Sequence, residues 1–546
     1  MDRTAGNATE ASDIATETDV LIIGAGPVGL TLALLLAARG RTVAIYEQHE
    51  APYPLPRAVG MSHDSVRTYQ AAGVLPRLDG LLDIQWRDMV GQFTNAEGEV
   101  LFATTYPGRS ESGYPTMTGF NQPDLEAALE RCCRDDLRIT THRGWRVEAL
   151  TQQRDQVLAS LTAFAKHDGG AKAKPITAAA RFVVGCDGAN SSVASLMATT
   201  VTDTGFASSW LVVDIVPKTP RIWDPELGQS LDPARPITIV PAGPGRRRFE
   251  LMALPGETPE VLSNPATVWP LLAKFDVTPE NAELVRSAFY TFRGRWANEW
   301  RDGRILLAGD AAHQMPPFLG QGFNSGIRDV MALAWRLDRV LAGASPIAIL
   351  DSYGSERLAH VRQVIEQSVE IGKMICITDP QIAAQRDAGL RLMRGAPGSP
   401  PPPKLPPWRL GAGILMPGDA NAGYLGVQGR VVFEDRERLA DDVFGSGRFV
   451  LFGNRIDPAG ALSETARVLW AEIEGVSITI GDAVRDLDGT YADWFAKLGC
   501  AVVLVRPDFQ VYGTAPEAAG ASDLVVTLAQ QLGVSALTSA AVPAGS

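Results

Sequence analysis

Short apolar runs that stop at a glycine or an acid recur along this chain and set its punctuation. Asp19–Gly24 (DVLIIG) places four branched or leucine side chains in a row, the pattern of a fully buried strand. Gly24-Ala25-Gly26-Pro27-Val28-Gly29 follows, then an apolar helix to about Arg39, a stop at Gly40-Arg41, and a second strand over Thr42–Glu47. This is a βαβ opening. Ser62–Ala72 is expected to be a helix stopped by Gly73, Trp86–Thr105 a hairpin turning at Asn95–Gly98, and Asn121–Arg134 an amphipathic helix with Pro123 in its first turn. Strands are expected between Thr140 and Ala180, around a polar turn near Lys166–Lys174. Arg181–Asn190 repeats the buried strand and ends in Cys186-Asp187-Gly188.

The rhythm then changes. Trp210–Val216, Pro236–Val240, Arg247–Leu254 and Phe289–Phe292 suggest strands, with a helical stretch around Val268–Ser287. We expect an antiparallel sheet inserted into a parallel α/β domain, a suitable lid and wall for a pocket. The parallel pattern returns at Arg304–Asp329, where Ile305–Ala308 ends in Gly309-Asp310 and a Gly-rich turn opens a helix over Ser325–Leu341. Pro346–Thr378 continues helical. Seven of the eleven residues from Pro397 to Pro407 are proline, a semi-rigid linker. Beyond it lies a separate small α/β unit, with apolar runs at Phe449–Phe452, Ser477–Ile480 and Ala501–Val505 and helices near Leu462–Ile473 and Tyr491–Leu498. The expected division is a tail over 1–18, a first domain over 19–205 with the hairpin 86–105 reaching into the sheet domain, the inserted sheet over 206–293, the first domain's return over 294–395, a linker over 396–408, and a last domain over 409–546.

At 546 residues the chain is too long for one core. A formal charge of −12 argues against nucleic acid as a main partner, which needs a basic face. The five cysteines show no paired metal spacing, so no metal is expected, and their odd, sparse set suits a reduced, cytoplasmic protein. The longest apolar run, Val28–Ala38, is too short to span a bilayer, and the first eighteen residues lack the basic and apolar regions of a signal peptide.

Three corners carry the chemistry. In the first, Gly24 permits a tight turn, Gly26 lets backbone approach a pyrophosphate, and Gly29 lets the helix pack on the strand. Pro27 suits the first helical position, and Glu47, with Gln48 beside it, ends the second strand where an acid can accept hydrogen bonds from a ribose. The second corner is Cys186-Asp187-Gly188. In the third, Gly309-Asp310 offers a carboxylate to sugar hydroxyls, and the turn through Gly320 and Gly322 opens a helix whose free N–H groups suit an electron-rich ring or anion. Arg57, after the proline-rich Ala51–Gly60 loop, is placed to reach a pyrophosphate. No sequence feature fixes a substrate-side base: His63, Arg247 and Tyr290 are candidates by type and placement, and along Arg246-Arg247-Arg248 alternation does not say which points inward.

Together these segments resemble the class A flavoprotein aromatic hydroxylases. Within them the chain is most similar to the 3-(3-hydroxyphenyl)propionate hydroxylase group, through Pro56–Gly60, Trp210–Asp214, Asp232–Pro236, Arg247–Glu250, Gly294–Ala297, His313–Gly322 and Ser325–Asp329, with Thr378-Asp379 and Arg386-Asp387 extending the match. Asp488-Gly489 and Arg506-Pro507-Asp508 resemble the thioredoxin-like third domain of the phenol hydroxylase branch. The implied fold is a Rossmann-like FAD-binding domain with an inserted antiparallel-sheet substrate domain and a thioredoxin-like C-terminal domain.

The resemblance implies FAD, NADH or NADPH, molecular oxygen and a small phenolic substrate. Glu47 would bind the adenosine ribose, Asp310 the ribitol hydroxyls, and Gln122 and Arg57 would lie on the phosphate side. Pro317, Gly320, Gly322 and Phe323, with Asn324, would set backbone N–H groups against the flavin pyrimidine edge. Asp187 would support FAD and transient nicotinamide binding. Ala194 stands where relatives often show an arginine, which leaves NADH versus NADPH open. The implied chemistry is flavin reduction by a nicotinamide, then a flavin C4a-hydroperoxide that oxygenates the ring ortho or para to a phenolic hydroxyl. Two other readings are a hydroxylase of a larger polycyclic or polyketide phenol and a flavin-binding protein that does not hydroxylate. The last domain is assigned to packing or homodimer contacts.

Overall fold

A computed structural model describes residues 14–55, 57–164, 174–394, 407–481 and 483–535. In chain order the elements that position the site are β1 (Ile14–Ile23), α1 (Pro27–Ala37), β2 (Val43–Glu47), α2 (His63–Ala71), α3 (Gln122–Asp135), β3 (Ile139–Arg143), β4 (Ile176–Gly185), β5 (Val201–Pro217), β6 (Arg247–Met252), β7 (Ala282–Ala297), β8 (Ile305–Leu307), α4 (Gly322–Leu341) and α5 (Asp351–Ile375).

β8, β4, β1, β2 and β3 form a parallel sheet in that order, with Val20 beside Phe182 on one side and Val43 on the other. Its strands are apolar throughout because both faces are covered. Val20, Leu21, Ile22, Phe182, Val183 and Leu306 are fully buried, and so are Leu30, Leu32 and Leu36 of α1, which packs between β1 and helices α3 and α4. Burying each such side chain stabilises the fold by roughly 1.5–3 kcal/mol.

The second sheet runs in the order His313–Gln314, β7, β5, β6, Ile237–Pro241, Leu227–Ser230, Met89–Thr94, Val100–Tyr106. The hairpin from the first half of the chain thus completes the inserted sheet, with Gly91 beside Leu227. Odd positions of β5 and β6 (Leu211, Val213, Ile215, Phe249, Leu251) face one way and pack on Leu262, Val268 and Leu272. Even positions face the first domain.

The last unit has thioredoxin-like topology. A four-stranded sheet runs 476–480, 450–454, 502–505, 511–515, parallel at its first pair and antiparallel after, with helices Glu464–Glu472 and Ala521–Gln531 in one apolar cluster and Thr490–Leu498 in another.

Several expectations need correction. Val268–Ser287 is not one helix: a helix covers Pro265–Ala273, and Ala282–Ser287 already belongs to β7. Fourteen residues of the long β5 have a partner in β7, and that pairing overrides the local pattern. The segment read as tail ends earlier, because β1 begins at Ile14, and β5 begins at Val201, ahead of the 206 boundary. The turn at 166–174 and the proline linker lie almost wholly outside the described residues. The last unit is not separate: Trp335 and Ile349 of the first domain sit within its apolar cluster. Buried ion pairs tie the two together. Arg336 and Glu356, from α4 and α5, meet Arg506 and Asp508 of the last unit, and Arg67 of α2 is bidentate to Asp441.

Candidate functional site

The βαβ corner, the strand ends of the parallel sheet and the loop before α2 enclose a cleft of about 880 Å³ including its mouth. Gly24, Gly26, Pro27, Glu47, Gln48, Arg57, Gln122 and Asp187 all line it. Gly24 has φ +108°, and a Cβ there would strike the Cys186 carbonyl; a Cβ on Gly29 would strike the Gly24 carbonyl, so Gly29 serves packing behind the wall. At Gly26 nothing lies within 4 Å of an added Cβ, so the backbone faces open space at the start of α1. A negatively charged, extended group fits against it.

The acids and amides around this cleft are also braces. Glu47 accepts hydrogen bonds from the N–H groups of Ala25 (3.0 Å) and His49 (2.8 Å), fixing the turn while leaving lone pairs toward the cleft. Gln122 accepts from the N–H groups of Arg57 (3.1 Å) and Ala58 (2.7 Å) and donates to Glu126 (2.6 Å), so it sets where the Arg57 loop stands. The Asp187 carboxylate accepts from Ser191 Oγ and from the N–H groups of Ser192 and Val193, capping a short helix, and burial pushes it up from its ordinary range. Arg57 lies over the Tyr53 ring, 4.8 Å from its centroid. Sequence reasoning missed His49, Glu126, Arg143, Trp145 and Arg146, which also line the cleft. Their one local signal is Gly144, the break between two strands.

Gly309 and Asp310 stand at the end of β8. Asp310 is solvent-accessible yet recessed among protein atoms, and that desolvation raises its carboxyl; His313 and Arg57 oppose the rise, so Arg57 is felt at both places. Behind the turn, Asp329 of α4 accepts from Gly309 N–H (3.0 Å), from His313 Nε2 (2.7 Å) and from Arg357 Nε (2.9 Å). Burial alone would raise Asp329; His313 and Arg357 outweigh it and hold the carboxyl low. Sequence reasoning missed this brace, whose parts lie 16 to 28 residues apart.

Pro317 begins a short 3-10 turn, Gly320 adopts φ +63°, and α4 starts at Gly322. Among the described residues no side chain caps α4; its first bond is from Ser325 N–H to the Gln321 carbonyl, so the N–H groups of Gly322, Phe323 and Asn324 point off the helix end. The Asn324 side chain is fully committed. It accepts from Ser62 N–H (2.9 Å) and Ser65 Oγ (2.8 Å) and donates to the carbonyls of Gly320 (2.8 Å) and Gly60 (3.3 Å). Phe323 packs on Phe120, 4.9 Å between ring centres. Phe318 packs on Trp210 of the inserted sheet, at 5.7 Å.

The three substrate-side candidates fall apart spatially. His63 opens α2, next to the Ser62–Asn324 corner, with its buried Nδ1 unpartnered among the described residues. Tyr290 is on the inner face of β7, its Oη 3.3 Å from Tyr53 Oη; burial and that contact raise its pKa, while Arg286 opposes. Arg247 lies on the outer face. It donates to the Pro225 carbonyl (2.7 Å), lies over Trp223, and is lowered to about 10 by burial, with Glu226 opposing. Its neighbour Arg248 is the one that points inward, to Asp214 and the Arg57 carbonyl.

The FAD binding domain family matches residues 17–368, and the HcaD C-terminal domain family matches 423–531. A probable NADH-specific resorcinol 4-hydroxylase of Rhodococcus jostii (strain RHA1) is 38% identical over 518 residues, 93% of this chain and 94% of that protein. A 3-(3-hydroxy-phenyl)propionate/3-hydroxycinnamic acid hydroxylase of Mycobacterium sp. (strain JLS) is 34% identical over 559 residues, 96% and 94%. Among solved structures, the flavin-dependent monooxygenase PieE in complex with FAD and substrate aligns with TM-score 0.77 at 20% identity, over 95% of this chain and 100% of that one. Aklavinone-11 hydroxylase with FAD and aklavinone aligns with TM-score 0.74 at 22% identity, over 95% and 99%. At these identities the solved structures share the fold.

Proposed function

The chain belongs to the FAD-binding-domain family of FAD-dependent aromatic hydroxylases, and on that premise we propose that it hydroxylates a single-ring, meta-substituted phenol using NADH and O₂. The observation that carries this reading is the convergence of two features: a nucleotide cleft at the βαβ corner, and an inner sheet face of Trp210, Met252, Tyr290 and Phe292 opposite the α4 turn. The substrate choice rests on what the names of two relatives have in common. Resorcinol and 3-(3-hydroxyphenyl)propionate are both phenols substituted at the meta position. NADH rather than NADPH rests on the first of those names.

Bound FAD would supply hydride acceptance and oxygen activation. The rest falls to this chain's residues. Glu47 would hold the adenosine ribose, the Gly26 backbone and Arg57 the pyrophosphate, and Asp310 the ribitol hydroxyls. The free N–H groups of Gly322–Asn324, with the positive end of α4, would stabilise negative charge at the flavin pyrimidine edge. Asn324 and Asp329 keep those two turns in register. Trp210, Phe292, Phe318 and Met252 exclude water from the ring-binding space. His63 and Tyr290 are the groups proposed to move the phenolic proton, His63 at its ring nitrogen and Tyr290 at its Oη. Arg247 is assigned to packing.

The test is turnover with NADH under ¹⁸O₂, with resorcinol and 3-(3-hydroxyphenyl)propionate in turn. One labelled oxygen atom in a newly hydroxylated ring is the expected result. NADH oxidation that yields only hydrogen peroxide with both phenols contradicts it.

A further inference from the structure

The inner face of the inserted sheet grades from aromatic to charged. Trp210 pairs directly with Met252 and Tyr290, Val212 with Glu250 and Ala288, and Asp214 with Arg248 and Arg286. Directly paired residues share a face. Along β7 that face therefore reads Arg286, Ala288, Tyr290, Phe292, with its smallest side chain between the arginine and the tyrosine.

Arg286 is set apart from the other charges there. It is 4% exposed, yet its Nε and Nη1 are buried with no hydrogen-bond acceptor among the described residues. Asp214 does not satisfy it. That carboxylate is held by Arg248 in a bidentate pair at 2.7 and 2.9 Å, and Arg286 reaches it only at 3.5 Å. Arg286 also lies over the Tyr290 ring, 4.7 Å to the centroid. A buried guanidinium with unmet donors is costly to maintain, and a planar oxyanion is the acceptor its geometry fits.

We propose that Arg286 binds an ionised oxygen of the aromatic substrate, whose ring lies over Ala288 and Val212 between Arg286 and Tyr290. This rests on the hydroxylase reading and names the substrate's chemical class: an aromatic compound carrying a carboxylate or a phenolate. Arg286 is then a specificity-determining residue, and Arg248 holds Asp214 away from it.

The experiment titrates FAD-loaded enzyme with resorcinol, 3-(3-hydroxyphenyl)propionate and the neutral 3-(3-hydroxyphenyl)propan-1-ol, reading the change in flavin absorbance across pH. Wild type is compared with Arg286→Met and Arg286→Lys, each checked for unchanged flavin content and circular dichroism. If the oxyanion is a carboxylate, Arg286→Met weakens the propionate by roughly 10- to 100-fold and the two neutral ligands by less than about threefold. If it is a phenolate, all three weaken, and the pH at which the bound phenol ionises moves upward. Arg286→Lys recovers part of either loss. Two results overturn the proposal: binding and pH dependence as in wild type, or an equal loss for all three ligands with no pH shift, which reports packing alone. A wild-type flavin that none of the three ligands perturbs overturns both this assignment and the hydroxylase reading beneath it.

Discussion

Two buried arginines in this molecule are treated in opposite ways. Arg506, where the last unit docks on α4 and α5, has a partner for each of its five N–H groups: both oxygens of Asp508, both oxygens of Glu356 and the Ile414 carbonyl. Burial would lower its pKa, but Asp508 and Glu356 outweigh that and raise it. Arg286, on the inner sheet face, makes no hydrogen bond to the described residues through two of its three nitrogens, and burial followed by Arg248 lowers it. A saturated buried charge is part of the scaffold; an unsaturated one, on the sheet face turned toward the first domain, is available to a ligand.

The sharpest way to break this contrast is to delete each arginine's charge. Arg506→Met leaves Glu356 and Asp508 buried with too few partners and should cost about 3–5 kcal/mol in denaturant unfolding, with early proteolysis of the last unit. Arg286→Met should change stability by no more than about 1 kcal/mol, because Asp214 keeps Arg248. Equal losses would erase the distinction.

Asp310→Ala tests a third kind of charge, one that is accessible and has no saturating network among the described residues. The protein should fold but purify pale, with flavin content reduced at least about tenfold; a full yellow complement would remove Asp310 from the site.

A smaller effect comes from pH. His360, beside Trp408 at the domain interface, has its pKa pushed well below the usual 6.5 by burial, then by Arg357 and Arg328. The unfolded chain takes that proton near pH 6.5 and the folded chain only at lower pH, so stability should fall as pH drops below about 6.5. His360→Phe should flatten melting temperature against pH between about 6.5 and 5. An unchanged slope would assign the acid sensitivity to other groups.

The smallest expected difference separates neighbours. Arg247→Met should leave ligand-induced flavin shifts intact, whereas Arg248→Met should weaken them, because only Arg248 faces the first domain. The reverse order would turn the sheet face around.

The parts of this site that were legible in the sequence are those built locally. Gly24–Gly29, Glu47 and Gly309-Asp310 sit where a buried strand ends and a turn begins, within about 25 residues of one another or alone. The face of Arg247 was not legible, because alternation gives a period but not its phase, and the phase is set by β5, more than thirty residues away. The place of Asn324 beside the Gly-rich turn is legible locally; its task of tying that turn to Ser62 spans 262 residues and leaves no local trace. Ala282–Ser287 fits a helix locally because Ala282 and Val285, three residues apart, share a helical face, and only the long partner strand decides otherwise.

The most direct measurement is anaerobic stopped-flow reduction of the purified, FAD-loaded protein by NADH, with and without 3-(3-hydroxyphenyl)propionate or resorcinol. Bleaching of the flavin that a phenol accelerates, by roughly tenfold or more, is the predicted result. Flavin that NADH reduces at one rate whatever phenol is present, or a protein that retains no FAD, would contradict a cleft and a sheet face working as one site.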